Sequence, residues 1–276
     1  MSLTPHRPLV LISWNGSEAP LRCLLADTTP QFDIVVFDYT ARWVGTHNAP
    51  HALPNTLLSE RTQCKGDIYQ ALARHLQATG LQPSFISLID DDVLISVSDI
   101  NRLLHLASYH GLHVSSAALS HDSHYTHRWS LRQPNRVLRE VDWVEVMMPV
   151  YSGELFAACA PHFEGNVSSW GIDKYLVPTM QQLTGLTHTA IVDAVMASHV
   201  RPITSGDTVY RNGLTAGQER DKMRQLCLGL IDQHKPELRL TDWFRRIFQQ
   251  RHVRTRWQQL AYGLGRPIRR WLDQST

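Results

Sequence analysis

The sequence predicts an α/β fold with a largely parallel sheet, and three observations carry that expectation. Short apolar runs of strand-forming residues recur along the first two thirds of the chain, segments with helical periodicity separate them, and the run Phe85-Ile86-Ser87-Leu88-Ile89 ends abruptly in Asp90-Asp91-Asp92. Strands that alternate with helices pair in parallel through helical crossovers. In such sheets ligands bind beyond the carboxyl ends of the strands. The three acids therefore mark the mouth of a crevice.

Taken in order, Leu9 to Ser13 is a first buried strand, with Trp14-Asn15-Gly16-Ser17 as the loop at its end. Phe32 to Phe37 is a second strand, followed by Asp38-Tyr39, and Ala19 to Thr28 between them is the expected crossover helix. Residues 41 to 64 lack periodicity and carry Pro50 and Pro54, which predicts a loop able to lie over a site. Lys65-Gly66-Asp67 opens a helix whose Ile68, Ala71, Leu72, His75 and Leu76 recur at helical spacing, with Gly80 as its stop. Ser96-x-x-Asp99 predicts a capping box for a helix faced by Ile100, Leu103, Leu104 and Ala107 and ended at Gly111. His113 to Leu119 follows as a strand.

The second half is read in the same way. Val141 to Ser152 is an apolar stretch in which strand alternation sets Asp142 and Glu145 on opposite faces, and Gly153 to Pro161 is a helix. In Ser168-Ser169-Trp170-Gly171-Ile172-Asp173-Lys174-Tyr175 a glycine permits a tight turn beside Asp173, at a loop-to-helix junction. That acid suits either a general base or a helix N-terminal carboxylate stabilised by the dipole. Ala190 to Val195 is a strand, with His199 at its exit.

Composition sets the limits. With 276 residues, 43% hydrophobic and 19% charged, the chain suits one large α/β domain or a domain with an appendage. A formal net charge of +2 gives no reason to expect a nucleic-acid partner. Cys23, Cys64, Cys159 and Cys227 are too scattered for a zinc knuckle or a disulfide framework. Together with an N-terminal apolar run too short for a signal peptide, this predicts a reduced, cytoplasmic setting. From about Thr215 the chain turns helical and then basic. Trp243, Phe244, Ile247, Phe248, Val253, Trp257, Leu260, Leu264, Ile268 and Trp271 alternate with arginines, so that 243–271 suits either the anionic surface of a membrane or packing on the domain. No stretch approaches the ~20 apolar residues of a membrane span.

Three adjacent carboxylates repel one another and call for positive charge. Period-two alternation points Asp90 and Asp92 to one side and Asp91 to the other, and such a pair suits a hard divalent cation. The alternative is a solvated strand-to-turn junction. His121, His124 and His127 lie close in sequence but lack an acid or cysteine partner at a zinc-site spacing.

Ile89-Asp90-Asp91-Asp92, then Trp143-Val144-Glu145-Val146-Met147-Met148-Pro149-Val150-Tyr151-Ser152, then Trp170-Gly171-Ile172-Asp173, then His199 occur in an order that resembles glycosyltransferases of the GT-A type. More narrowly, they resemble a plant and bacterial glycosyltransferase-like family. The resemblance covers roughly residues 8 to 212. It implies a single Rossmann-type mixed sheet flanked by helices over 1–214, and the helical basic appendage read from the residues over 215–276 lies outside it. It also implies transfer of a sugar from a nucleotide-sugar donor to a hydroxyl acceptor, a glycan or lipid-linked glycan. Carried onto this chain, Asp90, Asp92 and His199 become ligands of Mn²⁺ or Mg²⁺, and Asp91, Lys65 and Asp38 become donor contacts. Asp173 becomes the candidate base, with Glu145 in reserve, although relatives place a Glu-Asp pair where this chain has Ile172-Asp173. A non-catalytic sugar- or nucleotide-binding protein and a nucleotidyltransferase are the alternatives. The Trp14-Asn15-Gly16-Ser17 loop lacks the Gly-rich basic character of the latter.

Overall fold

The computed structural model describes residues 7–17, 24–46, 53, 56–202 and 207–249. One mixed sheet organises them. Its strands are β1 (Leu9–Trp14), β2 (Leu24–Leu25), β3 (Asp33–Asp38), β4 (Thr56–Ser59), β5 (Phe85–Ile89), β6 (Val93–Ser96), β7 (Val114–Leu119), β8 (Arg139–Glu140), β9 (Val150–Ser152) and β10 (Thr189–His199). They lie in the order β2-β6-β10-β7-β9-β5-β1-β3-β4, with β8 paired to β10 off this path. β4, β3, β1 and β5 are mutually parallel; β9 runs antiparallel to both β5 and β7; β10 is parallel to β7. The carboxyl ends of β1, β3, β5, β7 and β10 therefore share one edge of the sheet. Trp14, Asp38, the acid triplet and His199 all emerge there.

Alternation along the buried strands sorts their side chains into two cores. Leu9, Leu11, Val35, Phe37, Ile86 and Leu88 pack on one face of the sheet. Val10, Ile12, Ile34, Val36 and Ile89 pack on the other. The first face is covered by α1 (Lys65–Thr79), α3 (Gly153–Cys159), α4 (Val177–Thr184) and α5 (Ala216–His234), and the second by α2 (Val97–Tyr109). Each fully buried large side chain of this kind stabilises the fold by about 1.5–3 kcal/mol.

The expected helices over 65–79 and 97–109 are present. Ser96 Oγ accepts from Asp99 N as the first half of a capping box, and Gly80 closes α1 in the left-handed region at φ 68°. Three expectations need correction. Within Ala19–Thr28 the described residues 24–28 carry the short strand β2, paired with β6, and no helix. The expected loop over 41–64 contains the edge strand β4. Of Val141–Ser152 only Val150–Ser152 joins the ladder. Pro149, without an N–H to donate, interrupts a segment whose Met147 and Pro149 carbonyls still accept from Asp90 N and Leu88 N.

From residue 215 to residue 249 the described chain contributes to the first core. Met223, Cys227 and Ile231 of α5, and Phe244, Ile247 and Phe248 beyond it, belong to the same buried cluster as α1 and α3. The apolar side expected of 243–248 thus faces the domain, and Arg246 pairs with Asp142 at 2.9 Å. Residues 250–276 lie outside the described residues. Among the described residues no helix is long and apolar enough to cross a membrane.

Candidate active site

β5 ends at Ile89 and β6 starts at Val93, so Asp90-Asp91-Asp92 forms a reversal closed by Val93 N donating to Asp90 O at 3.1 Å. Period two does not apply within a turn, and each acid meets a different basic side chain. Lys65 Nζ, at the first residue of α1, lies 2.6 Å from Asp90 Oδ1. Arg201 Nη1 lies 3.1 Å from Asp91 Oδ1, whose other oxygen accepts from Tyr39 Oη at 2.9 Å. His199 Nε2 lies 3.4 Å from Asp92 Oδ2. Lys65 and His199, both expected at the site, are thus brought to it. Arg201 and Tyr39 were passed over; the signal available for Arg201 was its position two residues after His199, which gives residues leaving a strand a shared side.

Burial pushes the Asp90 carboxyl up to about 6; Lys65 opposes this while Asp92 and Asp91 add to it. Burial also works on Asp92, but the His199 hydrogen bond and charge outweigh it and hold that carboxyl below its ordinary range. His199 responds in the reverse sense. Burial disfavours its charge, yet Asp92 and the His124 carbonyl raise it above the usual histidine value.

Whether a divalent cation suits these residues can be judged from the donor set. His199 Nδ1 donates to His124 O at 2.9 Å, which leaves Nε2 as the atom that faces Asp92. A ring N–H held by a backbone carbonyl is the usual support of a metal-binding histidine. Asp92 Oδ1 is buried without a hydrogen-bond partner among the described residues. Asp92 and His199 therefore fit a cation. Asp90 fits less well, because one of its oxygens is already held by Lys65. Among the described residues no three His, Cys, Asp or Glu side chains are grouped to hold a metal by themselves. That pattern suits an ion shared with ligand phosphates, since Mg²⁺ is commonly held by one or two carboxylates plus substrate oxygens.

Of the histidines His121, His124 and His127, which lack the partners of a zinc site in the sequence, two have other contacts in the fold. The His124 backbone N–H and carbonyl serve β10, and the His127 ring stacks on Trp129 at 5.3 Å and meets Trp143 edge-on at 4.9 Å.

Asp38 is buried and turned into its own loop. Its oxygens accept from Thr40 N, Thr40 Oγ1, Trp43 N and Ser59 Oγ at 2.6–2.9 Å. Burial would raise this carboxyl, but those donors together hold it below its ordinary value. Asp38 thereby fixes Trp43, whose ring lies 5.6 Å from that of Trp14 and whose Nε1 donates to Gly16 O.

A second acidic pair lies close by, where Glu145 feels the charges of both Asp173 and His199. Asp173 sits in a π-helical turn, Ile172–Leu176, a form often found at functional positions. Its Oδ1 accepts from Lys174 N at 2.7 Å. Burial pushes it up to about 6. Glu145, in the irregular segment before β9, is pushed up to about 8 by burial, with the nearby Asp173 charge adding to the shift. Its Oε2 is buried without a hydrogen-bond partner among the described residues. Two carboxyls whose surroundings separate their titration are the arrangement from which acid and base roles are drawn.

No protein-family model matches the chain, and no curated protein matches it by sequence. Solved structures do. Residues 1–349 of TarS from S. aureus, in complex with UDP-GlcNAc, superpose with a TM-score of 0.56 at 12% identity, covering 96% of this chain and 78% of that one. A second structure of TarS residues 1–349 gives 0.57 at 12% identity, and the UDP complex 0.53 at 11%; each covers 96% of this chain and 77% of that one. At this identity the likeness establishes a shared fold, the GT-A-like α/β architecture that the sequence predicts.

Proposed function

We propose that this chain transfers a sugar from a nucleotide-sugar donor to a hydroxyl group of a glycan or lipid-linked glycan acceptor. The observation that carries this reading is the gathering, around the carboxyl end of the sheet, of the acid triplet with Lys65, Arg201 and His199 and of a second pair of acids, Glu145 and Asp173, with separated titration. The fold shared with UDP-GlcNAc-bound TarS supports a nucleotide sugar as the ligand.

In this reading Asp92 and His199 would hold Mn²⁺ or Mg²⁺, with Asp90 beside them. A bound ion would supply positive charge to stabilise the departing diphosphate without proton transfer. Lys65 and Arg201 add fixed positive charge at the same mouth, where developing phosphate charge is best met by preorganised donors. Trp43, half-buried on the Asp38 loop and packed over the buried Trp14, is the aromatic face this reading assigns to the nucleotide base. Asp173 takes the proton of the acceptor hydroxyl, for which it must be ionised. Glu145, largely protonated at neutral pH, keeps a second carboxylate charge from building beside it.

Incubation with a panel of UDP- and GDP-sugars and Mn²⁺, followed by measurement of nucleoside diphosphate release, tests the reading. Release, even as slow hydrolysis, supports a transferase. Donor binding without release supports the non-catalytic binder, and pyrophosphate-dependent formation of a nucleoside triphosphate supports the nucleotidyltransferase. The basic segment 243–271, of which the part after Gln249 lies outside the described residues, is a candidate for contact with anionic lipid, tested by co-sedimentation with phosphatidylglycerol vesicles.

A further inference from the structure

Asp173 reaches the site on a loop that two helices grip from opposite sides. On one side Gly66 N, next to Lys65, donates to Val167 O at 2.8 Å. A Cβ at Gly66 would lie 2.2 Å from Asn166 O, so only a glycine lets the start of α1 approach this closely. On the other side Glu219, in the first turn of α5, is 2% exposed. It accepts from Val167 N at 2.8 Å, from Ser168 N at 2.7 Å, and from the Ser168 hydroxyl and Asn212 Nδ2. Ser168 Oγ in turn accepts from Trp170 N at 3.1 Å. The chain of contacts thus runs from Glu219 through Ser168 to Trp170, three residues before Asp173.

The loop needs such support. Ser169 is held at φ 71°, a conformation that costs a non-glycine residue on the order of 1 kcal/mol. Gly171 is at φ 90°, and a Cβ there would lie 2.9 Å from Met223 Cβ and 3.2 Å from Arg220 Cα. The backbone of α5 therefore rests directly on the turn that launches Asp173. A carboxylate fits the junction because four donors converge on two oxygens, and an amide in its place would aim N–H groups at N–H groups.

We infer that Glu219 of α5 is a positioning residue for Asp173, and that α5, beyond the 8–212 stretch carrying the sequence resemblance, is part of the active site. The inference deepens the transferase reading and rests on it. It requires Glu219 to act through geometry rather than through donor binding. A misplacement of this sort lowers turnover and leaves donor affinity in place.

The test compares Glu219→Gln, Glu219→Asp and Ser168→Ala with the wild-type chain. Nucleoside diphosphate release, donor affinity by calorimetry, and hydrogen exchange over residues 166–173 are measured for each. Expected for Glu219→Gln are a kcat lower by about tenfold or more, donor affinity within about twofold, and faster exchange at 167–173. Glu219→Asp recovers part of the loss. Ser168→Ala, which keeps both backbone contacts, loses less and folds as the wild type does. Unchanged kcat in Glu219→Gln overturns the inference, as does a fall shared equally by donor affinity. If the wild-type chain itself shows no turnover, the transferase reading fails instead. The exchange data then decide the clamp alone, and unchanged exchange at 167–173 refutes it.

Discussion

His199 Nε2 faces Asp92 Oδ2 at 3.4 Å while its Nδ1–H is spent on the His124 carbonyl. One residue closes the long strand β10, the other follows β5, and the fold brings together groups 107 positions apart in sequence. Removing either partner should abolish any Mn²⁺ dependence of donor affinity. His199→Ala is expected to weaken Mn²⁺-supported binding by about tenfold or more while metal-free binding stays unchanged, as read by calorimetry with and without EDTA.

Asp173→Asn should lower kcat by about 10²- to 10⁴-fold, the usual contribution of a general base, with donor affinity retained. In the wild type the acid limb of the rate profile should fall as pH drops through about 6, because burial places the Asp173 carboxyl there and only its ionised form accepts a proton. A stopped nucleoside diphosphate assay between pH 5 and 9 reads both.

Glu145 makes stability depend on pH with a definite sign. Its carboxyl titrates near 8 in the fold and near the ordinary glutamate value when unfolded, so between those values the unfolded chain releases a proton that the folded chain keeps. Stability from this group is therefore lost progressively as pH rises from about 4.5 to about 8, each unit of separation being worth about 1.4 kcal/mol. Glu145→Gln should flatten that slope and leave the chain more stable at pH 8, measured by urea titration at both pH values.

Gly66→Ala should cost about 1–3 kcal/mol, since the added methyl would meet backbone of the Asn166–Val167 loop rather than a side chain able to move. Because the same loop leads to Asp173, turnover should fall with stability. Thermal unfolding and the release assay separate the two effects. Gly80→Ala, where a Cβ meets open space, affects stability through its φ of 68° alone and should spare turnover.

Much of the fold was legible because local and tertiary preferences agree. Ile68, Ala71 and Leu72 lie on one face of α1 and are buried together, and Ser96 caps α2 as the pattern S-x-x-D predicts. The acid triplet and His199 were legible for a similar reason, each following an apolar run that had to be a central strand. Val141 to Pro149 is apolar for a different reason: Val144 and Met148 are buried by packing of an irregular segment, in which the Met147 and Pro149 carbonyls bond to the β5 stretch and Pro149 has no N–H to return. For Asp38 the residue type alone does not tell whether a carboxylate at a strand end serves a turn or a ligand; in the fold its oxygens accept from Thr40, Trp43 and Ser59. Glu219 was invisible for the opposite reason. An acid in a first helical turn reads as a dipole partner, and only the path of residues 166–171 shows that it holds a loop 50 residues away.

The most direct test of the central claim is calorimetry of UDP-GlcNAc and a panel of other nucleotide sugars with the wild-type chain and Asp92→Ala, in Mn²⁺ and in EDTA. The account predicts that at least one nucleotide sugar binds the wild type in Mn²⁺ and that Asp92→Ala loses that binding. Equal affinity in both proteins and both buffers, or binding by none of the donors, contradicts it.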